Sequence, residues 1–251
     1  MGSRTAILVA LTTTVAIPSF AAAGTYVESL ATNHMTPQPT SHVMKMWAGN
    51  GKFRMETQGG VVQIYRDQAI YMLNTASKSY TKTDKASLEA ATQKMNEATK
   101  NLEALLPPEQ REKRKQSQTK PQVQRTLKPT ARTETALGQT CKVWEVHANG
   151  AKVQEQCVVE VAKLPNGKEL VASMQQVGEA FKGTSAAAAM SDVWDDVKTM
   201  NGYPVITRMY MNGKLFQEVK ATAMRAADTQ ESMFTIPAGF KERTMDDMMQ
   251  P

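Results

Sequence analysis

The sequence predicts an α+β fold: a curved antiparallel β-sheet, a half-open barrel, covered on its concave face by two or three helices. Three observations lead there. Between His42 and Tyr80, strand-like runs rich in Val, Ile, Tyr and Phe follow one another at hairpin spacing. Beyond Asp84 the apolar period lengthens from two residues to about three and a half, in stretches that read as amphipathic helices. A bent antiparallel sheet exposes a face that something must cover, and those helices are the available cover.

The elements follow in order. Met1 to Arg4 form a short positive region, Thr5 to Phe20 an apolar run, and Ala21-Ala22-Ala23 an export-type cleavage site, so residues 1–23 are expected to be a signal peptide cleaved after Ala23. The mature chain is then expected to work as a soluble protein in the periplasm. A first strand covers Thr25 to Ala31, and a turn holds Pro37 and Pro39. In the meander, Asn50-Gly51 supplies the two positive-φ residues of a type I′ turn; Gly59-Gly60 and Asp67-Gln68 mark the next reversals. Strand alternation puts His42, Met44 and Met46 on one face, and pairing across Asn50-Gly51 sets Met46 against Met55.

Asp84 is a good N-cap for a helix whose stripe is Leu88, Ala91, Met95, Ala98, Leu102 and Leu105, ended by Pro107-Pro108. Such a helix is stabilised by burying its stripe, which places it across the sheet. Strands resume near 123–130, 140–148 and 153–162, and Leu164-Pro165-Asn166-Gly167 breaks the sheet. Leu170, Met174, Val177 and Phe181 mark a second helix; Met190, Val193, Trp194, Val197 and Met200 mark a third. A hairpin at Asn212-Gly213 joins strands 204–211 and 214–223, and a short last strand is read over Ser232 to Ile236. One domain is expected over 24–243, with a disordered tail at 244–251.

Of the 251 residues, 41% are hydrophobic, enough for a sizeable core. The formal charge is +6. Between Glu109 and Arg132 eight Lys or Arg residues stand against Glu109 and Glu112, which accounts for that excess. A mobile basic loop over about 109–122 is expected, able to meet an anionic membrane surface or an acidic protein partner. Nucleic acid is excluded as a partner by the export signal. The two cysteines, Cys141 and Cys157, flank two strand-like runs joined at Asn149-Gly150, so a loop centred on Asn149 sets them opposite each other for a cross-strand disulfide. In the chain-entropy picture a loop of that length contributes about 3 kcal/mol.

Catalytic motifs are missing. There are three histidines and no nucleophile elbow, zinc-protease motif or phosphate-cradling glycine loop, and Asp192, Asp195 and Asp196 read as a solvated helix face. The expectation is a protein without enzymatic activity and without a cofactor. His42, Met44 and Met46 share a strand face and could hold Cu(I). Copper is the alternative reading; the favoured one is that Met, an adaptable apolar filler, fills the core or lines a pocket for flexible chains.

The order of elements resembles the LolA/LolB-like periplasmic lipoprotein-carrier superfamily, and within it an uncharacterised Met-rich exported family. The residues carrying the resemblance are Gly51-Lys52-Phe53-Arg54-Met55-Glu56, Ile70-Tyr71-Met72-Leu73-Asn74 with Lys78 and Tyr80, Gly138 with Cys141-Lys142-Val143-Trp144, Gly202-Tyr203-Pro204-Val205 and Phe234-Thr235-Ile236-Pro237-Ala238-Gly239-Phe240. It implies a sheet whose concave apolar side takes up acyl chains beneath helices. The expected function is binding of a lipid, a lipoprotein or another apolar ligand between sheet and helices, with a pocket of Met44, Met46, Met55, Met72, Met95, Leu102 and Trp194. An envelope interaction or sensor module with a packed core is the other reading.

Overall fold

The computed structural model describes residues 23–107, 109–111, 124–182, 184 and 196–244. The export-signal stretch up to residue 22, the basic stretch 112–123, Met190, Asp192, Val193, Trp194, Asp195 and the tail from 245 lie outside the described residues.

Twelve strands form one open, curved sheet. They are β1 (Ala23–Asn33), β2 (Thr40–Gly49), β3 (Lys52–Thr57), β4 (Val61–Arg66), β5 (Ala69–Asn74) and β6 (Ser79–Asp84), then β7 (Arg125–Ala136), β8 (Gln139–Ala148), β9 (Ala151–Glu160), β10 (Gly202–Met211), β11 (Lys214–Asp228) and β12 (Lys241–Glu242). Their spatial order is β12-β6-β5-β4-β3-β2-β1-β11-β10-β9-β8-β7. Two up-and-down meanders are thus joined where the first strand pairs with the last long one, from Ala23 opposite Asp228 to Asn33 opposite Gln217. All pairs are antiparallel except β12 beside β6.

Turn chemistry sets the registers. Asn50, Asp67, Asn149 and Asn212 all take positive φ at hairpin reversals, a conformation that Asn and Asp tolerate because their short side chains bond locally. A further turn at Lys78 adds β6, a strand beyond the four read from the sequence. Cys141 and Cys157 form a disulfide with a Cα separation of 5.3 Å. The pair is diagonal: Cys157 stands opposite Val143, and the twist of the sheet brings Cys141 within reach.

Helix α1 (Lys85–Ala104) starts with Asp84 as N-cap in a reciprocal box with Ser87. Helix α2 (Gly167–Ala180) packs on β1, β2 and β3. Its Leu170, Ser173 and Val177 are buried, and Leu170 joins Val27, Ala48, Val205 and both half-cystines in the main core. The break before α2 is fixed to β1, since Thr25 Oγ1 donates to Pro165 O at 3.0 Å and Asn166 Nδ2 to Gly24 O at 2.8 Å. The β2–β3 turn docks on the same helix, Asn50 N–H donating to Glu169 at 2.7 Å and Gly51 N–H to Ser173 at 3.2 Å. Gly51 takes φ +70°, which glycine adopts without strain, and a Cβ there would have to push the end of the Gln176 side chain aside. Residues 196–200 form a helical turn, and its Val197 and Met200 are buried.

Two further elements depart from the sequence reading. Residues Glu231–Phe234 form a 3₁₀ turn in place of the expected last strand. Phe234 plugs a second core on the face away from α2, against Val62, Ile64 and Leu73. Helix α1 touches the body through Leu88, which packs near Tyr65, Val177 and Phe181, while Met95, Leu102 and Leu105 are 63%, 54% and 84% exposed. The reason is positional. α1 leaves β6, which has only the two-residue β12 beyond it, so little sheet is available under the stripe, and α2 already holds the ground over β1 to β3.

Candidate functional site

Cross-strand register assembles the site on the face that carries α2. In one row, Met72 of β5 leads through Gln63 of β4 to Met55 of β3 and Met46 of β2. In the next row Met44 of β2 pairs with Ser29 of β1, which pairs with Ala221 of β11. Ser29 and Ala221 in turn line a cavity of about 140 Å³ under α2, walled by Val205 and Val219 and closed by Met174 of α2 and Val197 of the 196–200 turn. Met44, Met46 and Met55 are half-buried and Met72 is 49% exposed. The row is therefore more exposed at Met72 than at Met55, Met46 and Met44, and Met44 adjoins Ser29 at the lined cavity. The six interstrand steps from β5 to β10 span about 29 Å at the usual strand spacing.

Polar groups in the cavity are few and uncharged. Ser29, Tyr203 and Thr207 contribute hydroxyls, and among the described residues none of the three has a side-chain hydrogen-bond partner. Burial pushes the Tyr203 hydroxyl up to about 12, so it stays a donor throughout the neutral range. Gln156 of β9 stands opposite Thr207, is 2% exposed, and its Oε1 has no partner among the described residues.

The opposite face of the same strands is ionic. Alternation turns Arg208 and Glu218 away from Thr207 and Val219. Arg208 donates to both oxygens of Glu134 at 2.7 and 2.8 Å and through Nε to Glu218 at 2.7 Å. Glu155 receives Arg132 at 2.6 Å, Lys152 at 2.8 Å and the Tyr210 hydroxyl at 3.0 Å. Burial alone would raise the Glu155 carboxyl; the three donors outweigh it and hold it down to about 2. This network saturates its own groups and offers no reactive residue.

The sequence-derived pocket is thus split. Met44, Met46 and Met55 come together, with Met72 along the row. Met95 and Leu102 lie exposed on α1, away from the track, and the polar residues Glu89, Gln93, Asn96 and Lys100 of α1 line a separate cleft with Thr184. Trp194 is outside the described residues. His42 follows Met44 and Met46 on the same face, opposite Ala31. Among the described residues no group of three or more His, Cys, Asp or Glu could hold a metal. Sequence reasoning missed Ser29, Tyr203, Val205, Thr207, Val219 and Ala221. The alternation of 203, 205 and 207 was available as a signal, but the pairing of β1 with β11, nearly 200 residues apart, was not.

No protein-family model matches the chain, and no curated protein matches it. Solved structures with a similar course include an uncharacterized conserved protein from Thermus thermophilus, at 7% identity and a TM-score of 0.46, with 90% of this chain and 91% of that one covered. The MucA/MucB complex of Pseudomonas aeruginosa matches at 10% identity and a TM-score of 0.39, covering 86% of this chain and 56% of that one. A Vibrio parahaemolyticus domain described as an outer membrane lipoprotein-sorting protein matches at 8% identity and a TM-score of 0.37, over 86% of this chain and 91% of that chain. Among the described residues no helix is long and apolar enough to cross a membrane.

Proposed function

We propose that this protein is an exported, non-enzymatic binder of one elongated apolar ligand, a lipid or the acyl chain of a lipoprotein, laid along the α2 face. The observation that carries the reading is the row of Met72, Gln63, Met55 and Met46, with Met44 in the adjoining row beside Ser29 and its cavity. Thioether side chains suit it, since unbranched Met repacks around flexible chains of varied shape. Each methylene removed from water contributes about 0.8 kcal/mol, so a groove that shelters most of a chain supplies useful affinity without ionic contacts. The disulfide supports export, because such bonds persist in oxidising compartments.

The test is uptake of a fluorescent acyl probe by the purified protein. Wild type is expected to bind, and Met44→Glu combined with Met55→Glu to weaken binding at least about tenfold by burying charge along the track. Both positions are half-buried, so melting should stay near wild type. Failure of the wild type to take up the probe, or equal uptake by a folded double variant, overturns the reading.

A further inference from the structure

The β4–β5 hairpin breaks a rule that the other two-residue hairpins keep. At Asn50-Gly51, Leu137-Gly138, Asn149-Gly150 and Asn212-Gly213 the second positive-φ residue is glycine, which takes that conformation at no steric cost. Between Arg66 and Ala69 it is Gln68, at φ +58° after Asp67 at +50°. A side chain is disfavoured in the left-handed region, and a residue held there in place of glycine points to a use for that side chain. Gln68 is exposed and makes no side-chain hydrogen bond among the described residues, so it is not spent on holding the turn.

Its side chain lines a cleft of about 570 Å³ between this turn and the flank of α2, where Gln175, Gln176, Glu179 and Ala172 form the facing wall. Small-molecule sites span about 300–1,000 Å³. Tyr65, 3% exposed, ties the two walls together by donating its hydroxyl to the main-chain carbonyl of Gln176 at 3.0 Å. The side chains of Gln175 and Gln176, like that of Gln68, have no hydrogen-bond partner among the described residues. Each primary amide both donates and accepts, as do the hydroxyls of a sugar ring. The one charged residue lining the cleft, Glu179, already meets Lys182 at 3.5 Å, so no lining cation awaits a phosphate or carboxylate. β4 and β5 are interior strands, and an extended peptide would find no free edge here to pair with.

We propose that this cleft is a second binding site, for an uncharged saccharide, whose hydroxyls are read by the amides of Gln68, Gln175 and Gln176. It goes beyond the acyl-binding reading and does not depend on it. Gln68 closes the site from the hairpin side, and the strain of its turn is the cost of placing an amide there.

The experiment is calorimetric titration of the purified protein with maltose, cellobiose and N,N′-diacetylchitobiose. At least one is expected to bind in the millimolar range. Gln68→Gly should weaken that binding at least about tenfold through loss of the contacts of one amide. Its melting temperature should meanwhile hold level or rise by about 2–4 °C, because glycine relaxes the turn. Gln175→Ala is the second variant; it should weaken binding similarly without lowering the melting temperature, since alanine is the best helix former. Absence of saturable binding of all three sugars by wild type up to about 20 mM, or undiminished binding by either folded variant, overturns the site. A lower melting temperature for Gln68→Gly overturns the role given to Gln68, because it would show that the side chain holds the turn.

Discussion

Glu155 shows how a single side chain can be deeply buried and still ionised. It is 4% exposed, yet its carboxylate receives two cations and a phenol, and the low pKa makes that arrangement a pH-dependent contribution to stability. Because the folded value, about 2, lies below the ordinary 4.5, the native state binds fewer protons than the unfolded chain between them. The stabilisation is present above the ordinary value and is lost as pH falls through the folded one. Glu155→Gln should lower stability near neutrality by about 2 kcal/mol and flatten the acid limb of a melting-temperature profile. An unchanged acid limb would show that the carboxylate is not held as its donors imply.

At the level of elements, the two helices make opposite use of similar sequence patterns. α2 buries Leu170 completely, so Leu170→Ala should cost about 2–5 kcal/mol. Leu102 is 54% exposed on α1, and Leu102→Glu should shift stability by no more than about 0.5 kcal/mol. Equal destabilisation of the two in urea unfolding would mean that α1 packs its stripe after all. The hairpins were legible because Asn-Gly and Asp-Gln pairs fix both turn and register, which also made the Met46 and Met55 pairing readable. α1's exposure was not legible: periodicity reports that a helix has an apolar side, and only topology says whether a sheet lies beneath it. The stretch Ser232 to Ile236 misled for a related reason, since a short apolar run fits a strand and a core-plugging turn equally well. The cavity stayed hidden because its walls come from β1, β10 and β11, and the β1–β11 pairing joins segments from opposite ends of the chain.

Across the whole molecule, the two faces of one sheet divide the labour. The α2 face carries the apolar track, and the other face carries the ionic network at one end and the Phe234 plug at the other. Stability and ligand affinity should therefore separate. Phe234→Ala is expected to cost about 3–5 kcal/mol while leaving acyl-probe affinity, measured at a temperature where the variant is folded, within about twofold of wild type. A parallel loss of affinity would show that the faces are coupled through the sheet. The pairing of β12 with β6 has a consequence for how these molecules behave in company. Lys241 and Glu242 cover the start of the β6 rim, at Ser79 and Tyr80. The far rim, β7, breaks its ladder at Pro129 and bulges before Thr133, with Lys128 exposed. Both margins of this wide sheet are therefore poorer templates for a further strand than a flat, unbroken edge would be.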